Sequence, residues 1–326
     1  MTRPVHFPCR PRQSGLTLIE LMVAMLLGLV VVGAVVSVLL TSRQSYTTTN
    51  GLSQLQDNAR IAFELMARDI RQAGSSPCGN TAVNDMLAGN GWYRWVNGAG
   101  LFGVDDASAL SPLPASPAPS GGFPALVTRG AGTVSRELIQ VQQNSASQVQ
   151  QDCASKVPMA EAPTDVGIGT NDLVFACDGT QAYIFQAAAF DAGLPLAANA
   201  TPGNSAAQLG CSQFSSSAYV APYDADAWYI GAAGQGAPAG TLSLYRAHYA
   251  GNQLVSDEII RGVTALQVSY LTGGPTLATA TDVGGNWGSV SAVHLALTLQ
   301  TVTNPQNTTP NQERLIRTFD TTIRVR

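Results

Sequence analysis

The chain has 326 residues, of which 45% are hydrophobic and only 12% charged, and its formal net charge is −4. The charged share is about half that of an ordinary soluble domain, while the apolar content is too high for a disordered chain. Lys156 is the single lysine beside sixteen arginines, so no basic excess exists to hold nucleic acid by its phosphates.

Residues 1–15, MTRPVHFPCRPRQSG, carry Arg3, Arg10 and Arg12, three prolines and no acid. They read as a short basic leader. Residues 16–40 are almost wholly apolar and as a helix span ~37 Å, enough to cross the hydrocarbon layer. Leu21–Ser42 holds no charge, and Glu20 stands directly before it. Basic residues ahead of the span place the leader in the cytoplasm and the remainder outside. A cleaved secretory signal would need a shorter apolar core and a small-residue site, and no A-x-A site precedes Arg43. A plain anchor fits the length but leaves Glu20 without a role. A carboxylate costs roughly 2.5–3.5 kcal/mol at the bilayer centre and less at the edge.

The string Gly15-Leu16-Thr17-Leu18-Ile19-Glu20 resembles the type III signal of type IV pilins and pseudopilins. The resemblance implies that a prepilin peptidase cuts after Gly15 and methylates the new amine of Leu16. Glu20 becomes the fifth residue of the mature chain and docks against a neighbouring subunit. The sequence departs from the family at Leu16, where phenylalanine is usual, and in lacking a mid-helix proline, with Gly28 and Gly33 as stand-in weak points. Physics agrees with the implied docking. An amine and a carboxylate are both costly in a membrane, and pairing them between subunits offsets that cost and sets their stagger. Loss of the leader removes three arginines and takes the formal charge from −4 to −7.

After Arg43 the pattern turns amphipathic. Leu52, Leu55, Ala59, Ala62, Phe63, Met66 and Ile70 form an apolar stripe that is expected to pack as core. Glu64 and Arg68 have the favourable i,i+4 spacing. Gly74-Ser75-Ser76-Pro77 reads as the stop, with an interruption expected near Thr47–Gly51. The stretch Ala59–Gly74 resembles the second half of the N-terminal helix in PilW-type minor pilins and related type II secretion pseudopilins.

Residues 75–123 are rich in Gly, Pro, Ser and Ala, and Ser111–Ser120 reads as a surface loop. Short β-type runs follow: Ala125–Thr128, Glu137–Gln142, Asp172–Cys177, Ala182–Ala187, Leu242–Tyr249, Val263–Leu271, Ala292–Thr301 and Leu315–Val325. The last two are expected to pair antiparallel. The run Ile259–Leu299 resembles the C-terminal half of the PilW group and of the J-type type II pseudopilins. The expected fold is α+β and pilin-like: a long N-terminal helix packed on an antiparallel sheet body with large loops. The segments are a leader at 1–15, a transmembrane or filament-core helix at 16–42, an amphipathic half-helix at 43–74 and an exported β-rich body at 75–326.

Cys9 lies in the leader, and Cys78, Cys153, Cys177 and Cys211 remain. Four cysteines in an exported body suggest two disulfides, and sequence cannot choose among three pairings. The pairing taken is Cys78–Cys153 with Cys177–Cys211, each closing a loop-rich segment. No CxxC exists, and no metal or cofactor is expected. No HExxH, Walker A, GxSxG or GxGxxG motif is present, so no enzyme is expected. His248 and His294 read as sheet residues. Asp224 and Asp226 read as a solvated turn, with calcium as the alternative. Trp92, Trp95, Trp228 and Trp287 read as buried anchors rather than a contact surface.

The resemblance implies a minor pilin, held in the inner membrane with its body in the periplasm, then assembled into a surface pilus. Implied partners are the prepilin peptidase, other minor pilins, the major pilin and a large tip adhesin. The alternatives are a J-type pseudopilin of type II secretion and a membrane-anchored periplasmic binding module.

Overall fold

A computed structural model describes residues 15, 17–79, 82–95, 99–131, 139–140, 156–157, 159, 167–191, 193–197, 200–206, 214, 218–302 and 314–325. The leader up to residue 14, Leu16, Cys153, Cys211 and the 303–313 connection lie outside the described residues. The chain divides into two compact units, Met1–Ser53 and Gln54–Arg326.

Helix α1 runs from Leu18 to Gln72. It passes unbroken through Thr47–Gly51, where an interruption was expected. The Thr47 hydroxyl donates to the Gln44 carbonyl at 2.9 Å, so this side chain is satisfied inside the helix instead of opening it. Gly51 costs only about 1 kcal/mol as an interior glycine. The helix stops where its glycine demands. Gly74 has φ +77°, a left-handed conformation that ends helices, and its N–H donates to the Arg129 carbonyl at 2.8 Å.

In the second unit the strands are β1 (Val83–Asp85), β2 (Leu101–Val104), β3 (Ala125–Ala131), β4 (Ile139–Gln140), β5 (Lys156–Val157), β6 (Leu173–Cys177) and β7 (Ala182–Gln186). They continue with β8 (Leu194–Pro195), β9 (Tyr219–Ala232), β10 (Leu242–Ala250), β11 (Gln253–Leu271), β12 (Leu277–Ala278), β13 (Ala292–Gln300) and β14 (Ile316–Arg324). The main sheet has the order β1-β7-β6-β9-β10-β11-β13-β14. β2 pairs with β3, β3 and β4 with β9, and β12 with β11, while β5 and β8 form a separate pair. Pairing is antiparallel throughout, β13–β14 included, except for the parallel β1–β7 contact at one edge.

The central strand β9 was not among the expected β runs, because Pro222, Asp224 and Asp226 carry turn chemistry. The structure corrects that reading. Pro222 sits opposite Val174 of β6, and Asp226 sits opposite both Thr128 of β3 and His248 of β10.

Strand alternation gives the sheet two covered faces. Trp228 and Ile230 of β9 join the core that receives α1, whereas Tyr223, Ala225, Ala227 and Tyr229 join the opposite core under Trp92, Tyr93 and Leu110. On α1, Leu55, Ala59, Ala62, Met66 and Ile70 are buried and Phe63 is partly buried, as the apolar stripe predicts. Glu64 pairs with Arg60 at 2.8 Å rather than with Arg68, which lies 3.5 Å from Asp69.

Candidate functional site

Gly15 is exposed, with open space around its Cα. The sequence Thr17-Leu18-Ile19-Glu20 starts α1 as a capping box. The Thr17 hydroxyl accepts from the Glu20 N–H at 3.3 Å, and the Glu20 carboxylate accepts from the Thr17 N–H at 3.3 Å. The Thr17 hydroxyl also donates to the same carboxylate at 3.2 Å. Two of the four N-terminal helix donors are thus satisfied, and the carboxylate sits at the positive end of the helix dipole. The T-x-x-E pattern ahead of an apolar run carried this signal in the sequence. It gives Glu20 a task inside its own chain, which the docking reading alone did not supply.

From Leu21 to Leu40 the helix presents an apolar surface interrupted only by Ser37. No residue between Leu18 and Asn50 is buried, and Leu18, Ile19, Met25, Leu26 and Leu29 are each exposed over most of their surface. The most apolar stretch of α1 has a mean hydropathy of 2.9, and among the described residues α1 alone is long and apolar enough to cross a membrane. Such a surface is unfavourable in water. It requires lipid or other apolar helices as its solvent.

The second half of α1 is fastened to the sheet by a polar lock that the apolar stripe did not announce. Asp69, 5% exposed, accepts from the Trp228 indole N–H at 3.1 Å and lies 3.2 Å from Arg246 Nε. Arg246 Nη2 donates to Asp226 at 2.9 Å. Two buried carboxylates thus share one half-buried guanidinium. Burial pushes the Asp226 carboxyl up to about 7; Arg246 pulls against that shift and Asp69 adds to it. This geometry also corrects the turn-or-calcium reading of Asp224 and Asp226. Asp226 is buried within a strand and engaged by Arg246. Among the described residues no group of three or more His, Cys, Asp or Glu side chains is arranged to hold a metal.

His248, on β10, lies 3.7 Å from Asp257, and burial lowers its pKa. His294, on β13, meets the Thr322 hydroxyl of β14 at 3.0 Å. Both sit in the sheet, as expected. Trp92, Trp228 and Trp287 are buried, and Trp95 is half-buried against Phe175 and Tyr223.

Cys78 bonds to Cys177, not to Cys153, which corrects both expected pairings. The segment after α1 passes beside the end of β6, leaving the two Cα atoms 6.0 Å apart, within ordinary disulfide reach. Loop lengths in the sequence carried no trace of this neighbourhood. Cys153 and Cys211 fall outside the described residues.

Residues 10–36 match the prokaryotic N-terminal methylation motif, a stretch that holds Gly15, Leu16, Glu20 and the first half of the apolar run. No curated protein and no solved structure matches the chain. The motif and the apolar helix behind it support a type IV pilin-like protein, processed by a prepilin peptidase, assembled with pilin-type partners and anchored in the inner membrane.

Proposed function

We propose that the chain is a non-enzymatic minor pilin of the PilW type, which helps to initiate type IV pilus assembly from a position at the pilus tip. The methylation motif followed directly by an exposed apolar helix carries the reading. In it, the body faces the periplasm before assembly. The peptidase cuts after Gly15 and methylates Leu16, and the apolar half of α1 then exchanges lipid for neighbouring helices. Glu20 both caps its own helix and receives the amine of an adjacent subunit. A body of this size favours a minor over a major role, because a filament built from thousands of copies would be crowded by it.

The intact mass of the chain recovered from membranes tests the processing step. Loss of residues 1–15 with one added methyl group is the expected result; a chain that still begins at Met1 overturns it. Deletion of the gene tests the role: loss of surface pili with secretion preserved is expected. The same N-terminal motif and the run Ile259–Leu299 also suit a J-type pseudopilin, and loss of exoprotein release with pili intact would establish that reading instead.

A further inference from the structure

A cavity of about 240 Å³ opens beside β2 and β3, where the two cores meet: Trp287 belongs to the core that receives α1, and Trp92 and Leu110 belong to the opposite one. Trp92, Phe102 and Trp287 line it with aromatic rings, and Val104 and Leu110 line it with aliphatic groups. Arg129 also lines it. Alternation along β3 sends Leu126 to the α1 core and Ala125, Val127 and Ala131 to the opposite core, so Arg129 lies on the side of Trp92 and Leu110.

Arg129 is an expensive residue to place there. It is 2% exposed, and among the described residues no carboxylate stands within ion-pair distance of its guanidinium. It donates to the carbonyls of Arg94 and Ala99, and its Cζ lies 4.8 Å above the Phe102 ring. Its Nε finds no acceptor among the described residues. Asp85, the nearby acid, is already held by Arg94 at 3.0 Å. Carbonyl dipoles and a ring face soften a buried cation but do not neutralise it, and an anion would.

We propose that this cavity binds a small organic anion with a flat apolar body, its carboxylate on Arg129 and its ring among Trp92, Phe102 and Trp287. The volume lies below the roughly 300–1,000 Å³ of pockets for drug-sized molecules, which limits the occupant to one or two rings. Three ring walls select a planar body through offset and edge contacts. The guanidinium selects a carboxylate over a neutral polar group, because charge-assisted hydrogen bonds are about twice as strong as neutral ones. The proposal is independent of filament assembly.

The test uses the mature full-length chain in detergent micelles, with empty micelles subtracted. Saturation-transfer NMR is recorded with 4-fluorobenzoate and with neutral 4-fluorobenzyl alcohol. The acid is expected to bind at least about tenfold more tightly than the alcohol, an equilibrium difference of roughly 1.4 kcal/mol. Arg129→Gln is expected to remove that preference. Should that variant fail to fold, Ala109→Trp decides, since Ala109 is an exposed residue on the cavity lining and a tryptophan there blocks the space. It is expected to abolish binding without shifting the melting temperature. Equal binding of acid and alcohol, binding that survives Ala109→Trp, or no binding of the acid overturns the proposal.

Discussion

Trp228 donates its indole N–H to Asp69 at 3.1 Å, joining β9 to the last turns of α1 across 159 positions of sequence. The bond places a carboxylate where an apolar stripe would otherwise continue, with Arg246 as its charge partner 3.2 Å away. Asp69→Ala leaves the indole N–H without an acceptor and the half-buried Arg246 with Asp226 as its remaining carboxylate. The expected loss is about 1–3 kcal/mol. Asp69→Asn keeps an acceptor for Trp228 and is expected to cost less. Urea unfolding followed by tryptophan fluorescence, which Trp228 reports directly, checks both values.

Asp226 sets a pH dependence with a definite sign. Its carboxyl is raised from about 3.9 in the unfolded chain to about 7 in the fold. The folded form therefore binds the proton more tightly, and the stabilisation is present in full below about pH 4. It is lost as pH rises through about 7, and no further change follows above that. Asp226→Asn removes this contribution. The difference in unfolding midpoint between the native chain and the variant is expected to shift between pH 4 and pH 7 and to be level above pH 8. A difference independent of pH would show that Asp226 is ionised throughout.

The Cys78–Cys177 bond should be the one recovered by peptide mapping under non-reducing conditions. Cys78→Ser or Cys177→Ser is expected to cost about 2–4 kcal/mol, largely by freeing the unfolded chain across a separation of 99 residues. A Cys78–Cys153 peptide would contradict the structure.

Glu20 and Thr17 separate two contributions at the head of α1. Thr17→Val removes the hydroxyl that caps the Glu20 N–H, and should cost about 1 kcal/mol of helix stability with cleavage retained. Glu20→Ala removes the cap and the docking acid together. Processing is expected to persist while incorporation into filaments fails, read by mass of the membrane form and by immunoblot of sheared pili. If Thr17→Val impairs incorporation as severely as Glu20→Ala, capping alone accounts for the effect.

Gly100→Ala should destabilise the junction between helix and sheet, because its new Cβ would lie 1.8 Å from the Gly74 nitrogen. The atoms it meets are backbone and a Cβ has no rotamer, so neither side can rotate away. A drop of about 1–3 kcal/mol in unfolding free energy is the expected result. A neutral effect would show that the two glycines separate freely.

The sequence was most legible where one physical rule acted alone. The apolar run of α1, its stripe from Leu55 to Ile70, its stop at Gly74 and the β13–β14 pair all follow from periodicity and glycine geometry. It was least legible where tertiary partners overrule local preference. Asp226 reads as a turn residue until Arg246 of the next strand occupies it. Asp69 reads as the polar flank of a stripe until Trp228 arrives from far along the chain. The pairing of Cys78 depends on β6 lying beside the segment after α1, which no spacing of cysteines records. At the N-terminal site the reciprocal bonds of Thr17 and Glu20 are legible as a T-x-x-E pattern, which a reading of Glu20 as a docking acid alone passes over.

The disulfide also has a mechanical consequence. Once the packing of α1 on the sheet has given way, tension drawn along the chain from the N-terminus passes Gln72 and meets Cys78 six residues later. From there it passes through sulfur into Cys177, at the end of β6, instead of along the intervening polypeptide. The stretch between the two cysteines is thereby held off the force path. Arg129 lies within that covalent loop, so the segment around it cannot be drawn out to full length until the bond is reduced.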